Sequence, residues 1–441
     1  PSVSVDEEGE VSLRGNSNVK VLIDGKPSEL LGSDLASVLA QIPASTIENI
    51  EVITNPSAKY DPDGMSGIIN IKLKEKGNMG LNGMVNISAG SALDKFLPRA
   101  NGSASVSYST KKFGFSASID GRYDQRGRRS DNMKLLFGSE PNSLEAWMRS
   151  RRDGIEEGYS EGMKLGFDWY INQKNTLTLS YTGRGQNTIS DHTVINNINL
   201  IDSMSYRSLD QITDGDRSGQ FHTFSLNYQK KFNKPDQELM VDANWNIGRF
   251  NRESIQKIDY LNDLFDTDYA FDKKDVTKAN DDRAVVKINY THPFSKELRL
   301  ETGYNLNYSN RHSDYDYYFN GLSEKDTATS YVFHSTEYIH ALYATVGYTH
   351  GNWSGQLGLR GEIVRSTATK TMENKANTSF DKNYNPLFPT LHLSYQISPM
   401  QSAQFSYSRR INRPDMYSMM PNVDLSNPEH IRFGNPDIDP E

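Results

Sequence analysis

From Leu81 onward, apolar and polar residues alternate in segment after segment with a period of two. In one segment, Leu300 and Leu306 alternate with Glu301 and Asn305. Successive side chains of a β-strand point to opposite faces, so each segment predicts a strand with one apolar and one polar face. We count about 13 such strands of about 10–14 residues each, a length that fits a strand crossing a bilayer at a tilt.

Alternation alone does not distinguish a membrane barrel from a soluble β-sandwich, because both have strands with one apolar face. The connections between the strands favour the membrane barrel. Short turns are predicted near Lys111, Gln173, Pro235, Ser295, Gly351 and Pro399. Long polar connections are predicted near 125–158, 188–217, 252–280, 312–330 and 367–384. Short turns on one side and long loops on the other are typical of bacterial outer-membrane barrels. The aromatics predicted to form a girdle beside the short turns are Phe113, Trp169, Phe232, Phe294 and Trp353.

Composition narrows the classes of function. The chain of 441 residues has a mean hydropathy of −0.68 and contains no apolar run of about 18 residues, so no transmembrane helix is predicted. It has no cysteine, which excludes disulfides, zinc–thiolate sites and cysteine nucleophiles. The net charge of −8, with both signs interspersed, argues against nucleic-acid binding.

The first 76 residues have a different pattern, that of a small α/β unit. Strands are predicted at 11–13, 19–23, 47–52 and 69–73, and a helix capped by Ser33 is predicted before Pro43. Asp61-Pro62-Asp63-Gly64 predicts a β-turn. A calcium loop would need further oxygen ligands at fixed spacing, which the sequence lacks, so no metal is predicted.

Three stretches in this unit, VLIDGKP, IPASTIENIEVITNPSAKYD and GMSGIINIKLK, resemble the C-terminal half of the plug domain of TonB-dependent outer-membrane receptors. The form is the one common in Bacteroidetes-type members. Many other receptors carry Gly-Pro and Tyr-Gly where this chain has Asn55-Pro56 and Tyr60-Asp61. The residues that carry the motif are Asn55, Pro56, Tyr60, Gly64, Gly67 and Asn70.

The resemblance implies a mainly β fold, an antiparallel transmembrane β-barrel with a small α/β plug. The predicted domains are a plug over 1–76 and a partial barrel over 77–441, with 413–441 as an outer loop. Barrels of this family have about 22 strands, and the chain begins with neither a Met nor a signal peptide. We therefore expect a Ton box, the early plug and about nine strands to lie outside this sequence.

The function implied by the resemblance is the uptake of a scarce ligand, such as a siderophore, glycan or peptide, through a plugged barrel in the Gram-negative outer membrane. The plug would face the periplasm and the long loops the exterior. Expected partners are lipid, lipopolysaccharide, TonB and a SusD-like lipoprotein; no cofactor or nucleic acid is expected. Two alternatives stay open: a non-transporting receptor or adhesin of the same family, and a soluble β-rich binding or carbohydrate-active protein.

No enzyme is predicted. The nine His residues show no metal-ligand spacing, and neither a phosphate-binding Gly-rich loop nor a Gly-x-Ser-x-Gly elbow is present. The candidate ligand-binding residues are loop aromatics and arginines. They are Tyr315, Tyr317, Tyr318, Phe319, Arg126, Arg128 and Arg129. Aromatic rings could stack on a ligand or pack within their loop, and arginines could bind phosphate or an anionic ligand or remain solvated.

Three further sets complete the sequence predictions. Arg149, Arg151 and Arg152 are assigned to the same basic loop. An acidic set is a candidate for divalent-ion bridging to lipid A, with solvated loop surface as the alternative. It comprises Asp259, Asp263, Asp266, Asp268, Asp272 and Asp275. The inward residues expected to hold the plug are Arg299, Glu301, Arg360 and Glu362.

Overall fold

The structure of the chain is a computed structural model. It describes residues 3–5, 11–13, 19–23, 26–27, 47–53, 58–63, 67–73, 80–92, 96–137, 144–200, 206–262, 269–319, 323–373, 375–414, 416–419, 423–424, 432–435 and 437–441. The predicted helix after Ser33 lies outside these ranges, as does the predicted domain boundary at 76/77, and both stay predictions.

The N-terminal unit contains a two-stranded and a four-stranded sheet. Its strands are β1 (Val3–Val5), β2 (Val11–Leu13), β3 (Val19–Ile23), β4 (Lys26–Pro27), β5 (Ile47–Ile53) and β6 (Gly67–Leu73). The antiparallel pair β1–β2 forms one sheet, and the order β4-β3-β6-β5 forms the other, in which β3 and β6 are parallel. All four strands predicted in this unit are present.

The alternation of Ile69 and Ile71 with polar residues predicts that strand β6 is half-buried, and the structure differs from this prediction. Ile68, Ile69, Asn70 and Ile71 are consecutive, and none is more than 7% exposed. The strand lies between β3 and β5, and the rest of the protein covers both of its faces. Ile69 and Ile71 pack with Val11 and Val21 into the core of this unit.

Residues after Gly80 build one large antiparallel sheet. Its strands are β7 (Gly80–Ala92), β8 (Leu97–Ser109), β9 (Phe113–Phe137), β10 (Leu144–Asn172), β11 (Asn175–Leu200), β12 (Tyr206–Lys231), β13 (Glu238–Asn262), β14 (Tyr269–Pro293), β15 (Leu298–Phe319), β16 (Tyr331–His350), β17 (Trp353–Thr371), β18 (Thr378–Tyr384), β19 (Leu387–Ser398) and β20 (Gln401–Ser408). A short helix α1 (Met416–Met419) and the pair β21 (Val423–Asp424) and β22 (Arg432–Phe433) follow. Within the described ranges, no helix is long and apolar enough to cross a membrane.

The sheet has 14 strands, and from β7 to β17 each strand pairs with the next one in the chain, as β19 does with β20. Strands β18 and β19 both pair with β17, β18 along residues 364–370 and β19 along residues 353–361. They therefore occupy one strand position, interrupted at Asn385-Pro386. The path through the sheet consequently has 13 positions, as the sequence predicts.

The predicted strand length of about 10–14 residues is wrong for the middle of the sheet. Strands β9 to β14 have 25 to 29 residues each. Much of each predicted long loop is a continuation of two paired strands. In these extensions polar residues occupy both faces, so the sequence shows no apolar period although the backbone pairing continues. The six predicted short turns are confirmed, each lying between two consecutive paired strands.

The two faces of the large sheet differ in chemistry. We call the face that contacts residues 58–63 the inner face and the opposite face the outer face. The outer face carries exposed apolar side chains, among them Leu342 (67% exposed) and Leu357 (63% exposed). The inner face carries buried polar residues such as Thr345 and Arg360, each 1% exposed. This alternation is the one expected of a sheet with lipid on one side.

The alternation predicts Leu300 and Ala243 on the apolar face and Asn305 and Asn244 on the polar face, and the structure confirms this facing. Leu300 and Ala243 lie on the outer face, paired with Val346 and Leu226, whereas Asn305 and Asn244 lie on the inner face and are 6% exposed. Four of the predicted girdle aromatics are 39–59% exposed beside the short turns. They are Phe113, Trp169, Phe294 and Trp353. Phe232 instead packs edge-on against Tyr290, with 6.0 Å between ring centroids.

The facing can be tested at two neighbouring residues of β12. Leu226→Arg places a guanidinium in the hydrocarbon layer and should lower the free energy of unfolding by about 2–4 kcal/mol. Asn227→Arg places the same group on the inner face, beside the Asp242 carboxylate that accepts a hydrogen bond from Asn227 at 2.5 Å, and should cost no more than about 1 kcal/mol. Denaturant unfolding in lipid vesicles measures both losses. Equal losses would show that the two faces are assigned wrongly.

Candidate functional site

Residues 58–63, between β5 and β6, lie against the inner face of the large sheet. A small space at this contact is lined by Ala58, Tyr60 and Pro62 on one side and by Arg360 and Phe388 on the other. The approach is close: a Cβ added at Gly358 of β17 would lie 2.9 Å from the Cβ of Ala58. The glycine therefore permits the segment to lie directly on the sheet.

A buried cluster of charges joins the segment to the sheet. On β17, the Arg360 Nε donates to Glu362 Oε1 at 2.7 Å, and the two side chains are 1% and 0% exposed. The second oxygen of Glu362 accepts a hydrogen bond from Arg413 Nη2. The other terminal nitrogen of Arg413 lies 3.5 Å from Asp61 Oδ1 and 3.9 Å from Asp63 Oδ2. One arginine thus bridges a carboxylate of the sheet and two of the N-terminal unit.

The electrostatics of the contact keep the Arg413 guanidinium charged. Burial lowers the pKa of Arg413, but the carboxylates of Asp61 and Glu362 outweigh it, and the net effect raises the pKa above its ordinary value. Burial also raises the pKa of the Tyr60 phenol, to which the charges of Glu51 and Glu301 add. A buried ion pair offsets its desolvation only when both partners are present, so loss of one partner is costly.

Backbone contacts support the same arrangement. The amide of Ile411 donates to the carbonyl of Pro62 at 3.4 Å, and Asp63 and Ile411 form a parallel bridge. Within the predicted DPDG turn, the backbone amide of Asp63 donates a hydrogen bond to Asp61 Oδ1 at 3.2 Å. This hydrogen bond orders the turn. The carboxylates of this turn face Arg413.

The predicted plug-motif residues divide into three groups. Tyr60 lies in the contact with the sheet, and Gly67 begins β6. Asn70 is 4% exposed, and its amide donates to Glu51 Oε2 at 2.7 Å, so its role is structural within the four-stranded sheet. Asn55, Pro56 and Gly64 lie outside the described residues.

The inward residues expected to hold this unit are partly confirmed. Arg360 and Glu362 lie at the contact, as predicted. Arg299 pairs with Glu301 at 3.4 Å, and Arg299 lines a polar cavity shared with Val52 and Ile53 of β5. Sequence reasoning missed Arg413, which it assigned to an outer loop; no local pattern marks its long-range contacts.

The prediction of a basic loop is wrong, because its arginines lie in two paired strands. Arg126, Arg128 and Arg129 lie in β9, and Arg149, Arg151 and Arg152 lie in β10. Alternation separates them: Arg126 and Arg128 are on the inner face, and Arg129 and Arg149 are on the outer face. Several are paired with carboxylates. Arg126 pairs with Asp124, Arg128 with Glu156 at 3.0 Å, and Arg149 with Asp131 at 2.6 Å.

The predicted aromatic cluster is also divided between faces. Tyr315, Tyr317 and Phe319 lie on the inner face at the end of β15, whereas Tyr318 lies on the outer face. Tyr315 stacks on Tyr331 with 5.0 Å between ring centroids and packs with the buried cluster of Tyr331, Phe333 and Ala368. Phe319 contacts Phe271 at 5.3 Å. These contacts favour packing within the hairpins for Tyr315 and Phe319.

The predicted acidic set does not converge where it is described. Asp259 and Asp272 lie on the outer face and Asp275 on the inner face, while Asp263, Asp266 and Asp268 lie outside the described residues. Within the described ranges, no group of three His, Asp or Glu residues is arranged to hold a metal ion.

Two protein families match the chain. Residues 1–68 match the TonB-dependent receptor plug domain, and residues 230–441 match an outer-membrane protein β-barrel family. The plug match covers the unit whose segment 58–63 contacts the inner face, and the barrel match covers the C-terminal half of the large sheet. The chain therefore combines a plug with an outer-membrane β-barrel sheet. It belongs to the TonB-dependent receptors and is an outer-membrane protein.

Solved structures with similarity to the chain include three siderophore receptors. A mutant of the ferric enterobactin receptor from Pseudomonas aeruginosa is 10% identical, with 92% of this chain and 89% of that chain covered and a TM-score of 0.33. The siderophore receptor PirA from Acinetobacter baumannii is 11% identical over 91% and 88%, with a TM-score of 0.32. The ferric yersiniabactin receptor from Yersinia pestis is 10% identical over 93% and 81%, with a TM-score of 0.31. Similarity at this level does not define the ligand of this chain.

The buried charge cluster predicts a contrast between two glutamates. Glu362→Gln leaves Arg360 and Arg413 buried without their shared carboxylate and should lower the free energy of unfolding by about 3 kcal/mol. Glu301→Gln breaks a pair in which Arg299 is 59% exposed and should cost no more than about 1 kcal/mol. Denaturant unfolding of the detergent-purified protein at low and high salt measures both.

Salt provides the second readout, since it screens exposed pairs more strongly than buried ones. The difference between Glu362→Gln and the unchanged protein should persist at high salt, whereas that of Glu301→Gln should shrink. Similar small losses for both variants would contradict a stabilising role for the buried cluster.

Proposed function

We propose that the protein takes up a scarce ligand through its barrel in an energised, TonB-dependent cycle. The observation that carries the proposal is the contact of residues 58–63 with the inner face, made by Arg413, Glu362 and Arg360. A plug held by charges can close a wide barrel at rest and leave its position under a pulling force. The ligand class, whether siderophore, glycan or peptide, is open within this proposal.

The extended hairpins support capture on the side away from the short turns. Strands β9 to β14 carry most of the surface beyond the apolar band, while the short turns at the other end offer little surface. In this proposal Tyr317 and the arginines of the inner face line the route of entry, and Tyr318 and Arg129 face away from it. TonB, through a Ton box, supplies the force, and lipopolysaccharide surrounds the outer face. A SusD-like lipoprotein is proposed as a further partner for a glycan or peptide ligand.

A disulfide across the plug contact tests whether it must open. Asp63 and Ile411 are bridge partners, so their Cα atoms lie within the range of about 4.4–6.8 Å that a disulfide spans, and the chain has no other cysteine. In Asp63→Cys/Ile411→Cys, oxidation should abolish uptake of the native ligand, and dithiothreitol should restore it. The two single-cysteine variants should transport under both conditions. Full uptake with the disulfide formed would show that this contact stays closed during transport.

Removal of the plug tests closure independently. Deletion of residues 11–76 removes β2 to β6, and with them the four-stranded sheet and the segment at the contact, and it leaves β1 without its partner strand. The variant should conduct ions in planar bilayers, whereas the unchanged protein should stay closed. Equal conductance of the two proteins would contradict a plug. A closed barrel that binds its ligand but never transports it would favour the alternative, a non-transporting receptor or adhesin.

A further inference from the structure

The outer face of the large sheet carries an apolar groove of about 900 Å³ that spans β8 to β14. The outer-face side chains that line it form two neighbouring cross-strand rows. One row runs from Tyr108 to Val286, and the other runs from Val106 to Ala284. Every side chain in the two rows is aromatic or aliphatic, so the groove is a continuous apolar surface on the lipid-facing side of the protein.

The relief of the groove comes from large rings that lie beside small side chains. Phe115 and Phe167 pack with 5.1 Å between ring centroids on β9 and β10, and Phe224 and Trp245 pack at 6.1 Å on β12 and β13. The low positions between and beside these rings are alanines. They are Ala117, Ala243 and Ala284. A flexible hydrocarbon chain can fill such a channel, and the groove is continuous with the surface that contacts the membrane.

One end of the groove opens at the short turn between β8 and β9. Tyr108 precedes the last residue of β8, and Phe115 is the third residue of β9. Within the turn, Thr110 Oγ1 accepts hydrogen bonds from the amides of Lys112 at 3.3 Å and Phe113 at 2.9 Å. At the other end, Val286 lies seven residues before the end of β14. The groove therefore rises from a short turn into the apolar band.

The turn at this opening is basic. Lys111 and Lys112 are both exposed, and in the part of the chain that the structure describes neither forms an ion pair. Lys174 lies on the next short turn, where its ammonium group donates to Asn233 Oδ1. The short turns at the far side of the sheet, Gly351-Asn352 and Pro399-Met400, carry no charge. Positive charge is thus placed where the apolar groove reaches the membrane surface.

We propose that this groove binds an acyl chain of an anionic phospholipid, whose phosphate lies on Lys111 and Lys112. Short turns lie at the periplasmic end of outer-membrane barrels, so the lipid belongs to the periplasmic leaflet. Lysine ammonium groups near a membrane surface attract anionic headgroups, and the apolar rows hold the chain. The site goes beyond the proposed uptake of a ligand, because it lies on the face of the sheet away from the plug.

The fluorescence of Trp245 reports on the groove. Trp147→Phe/Trp169→Phe/Trp353→Phe leaves Trp245 as the only tryptophan. This variant is reconstituted in phosphatidylcholine vesicles that contain phosphatidylglycerol or phosphatidylcholine brominated in the distal half of each acyl chain. Bromine quenches the indole on contact, so the quenching gives the relative association constant of each lipid. Phosphatidylglycerol should associate about fivefold more strongly than phosphatidylcholine at low salt.

The site predicts which substitutions remove this preference. Lys111→Gln/Lys112→Gln should make the two lipids associate about equally, whereas Lys111→Arg/Lys112→Arg should keep the preference and shows that the turn still folds. Ala117→Phe fills the groove without changing charge and should lower the quenching by phosphatidylglycerol. Lys296→Gln removes a lysine from the β14–β15 turn and should leave the preference unchanged.

Trp353 provides a matched position on the same face. It is 59% exposed beside the uncharged turn Gly351-Asn352. With Trp353 as the only tryptophan, the two brominated lipids should associate equally to within about twofold, because no lysine lies on that turn.

The proposal is overturned by equal association of the two lipids at Trp245, by a preference that survives in Lys111→Gln/Lys112→Gln, or by an equal preference at Trp353. Unchanged quenching in Ala117→Phe would show that the lysines act without the groove and would overturn it as well. Displacement of brominated phosphatidylglycerol by an equal amount of purified lipopolysaccharide would assign the groove to the lipid of the other leaflet, which also contradicts the proposal.

Discussion

The unbroken antiparallel register of the large sheet is the constraint on which the rest of the structure depends. From β8 to β17 each strand pairs residue for residue with the next, and the register shifts only at strand ends such as Tyr170–Asn172. Because side chains alternate strictly, the facing of one residue fixes the facing of every other. The exposed Leu342 and the buried Glu362 thereby assign lipid to one face and the plug to the other.

Sequence reasoning could find the strands that cross the apolar band and the short turns between them. Leu300 and Ala243 stand out because each is apolar between polar neighbours, which is a local signal. The extensions of β9 to β14 could not be found in this way. Around Arg126 and Glu156 both faces of the sheet contact water or other polar groups. Apolar residues therefore do not recur at every second position, and the sequence does not indicate that these segments are paired strands. For the same reason the sequence does not separate Tyr318 from Tyr315, although the two point to opposite faces.

Only part of the contact between the plug and the sheet can be predicted from the sequence. Arg360 and Glu362 could be assigned to the inner face, since they alternate with apolar residues of β17. Arg413 could not, because its partners Asp61 and Glu362 are 352 and 51 residues away along the chain. The contact depends on the chain after β20 returning to the inner face beside Pro62, and no local pattern encodes that return.

Burial divides the charges of the inner face into two kinds with different physical roles. At the plug, Arg360 and Glu362 are almost fully buried, so each charge needs its partner and the arrangement changes only when the whole segment moves. Arg299 and Glu301 form a pair in which Arg299 is 59% exposed, so water solvates this charge and salt screens it. An exposed pair of this kind contributes little stability and loses it as salt is added. The contact between residues 58–63 and the sheet therefore depends on the buried cluster, because the bridge that Arg413 makes between Asp61 and Glu362 is lost when the segment leaves the inner face.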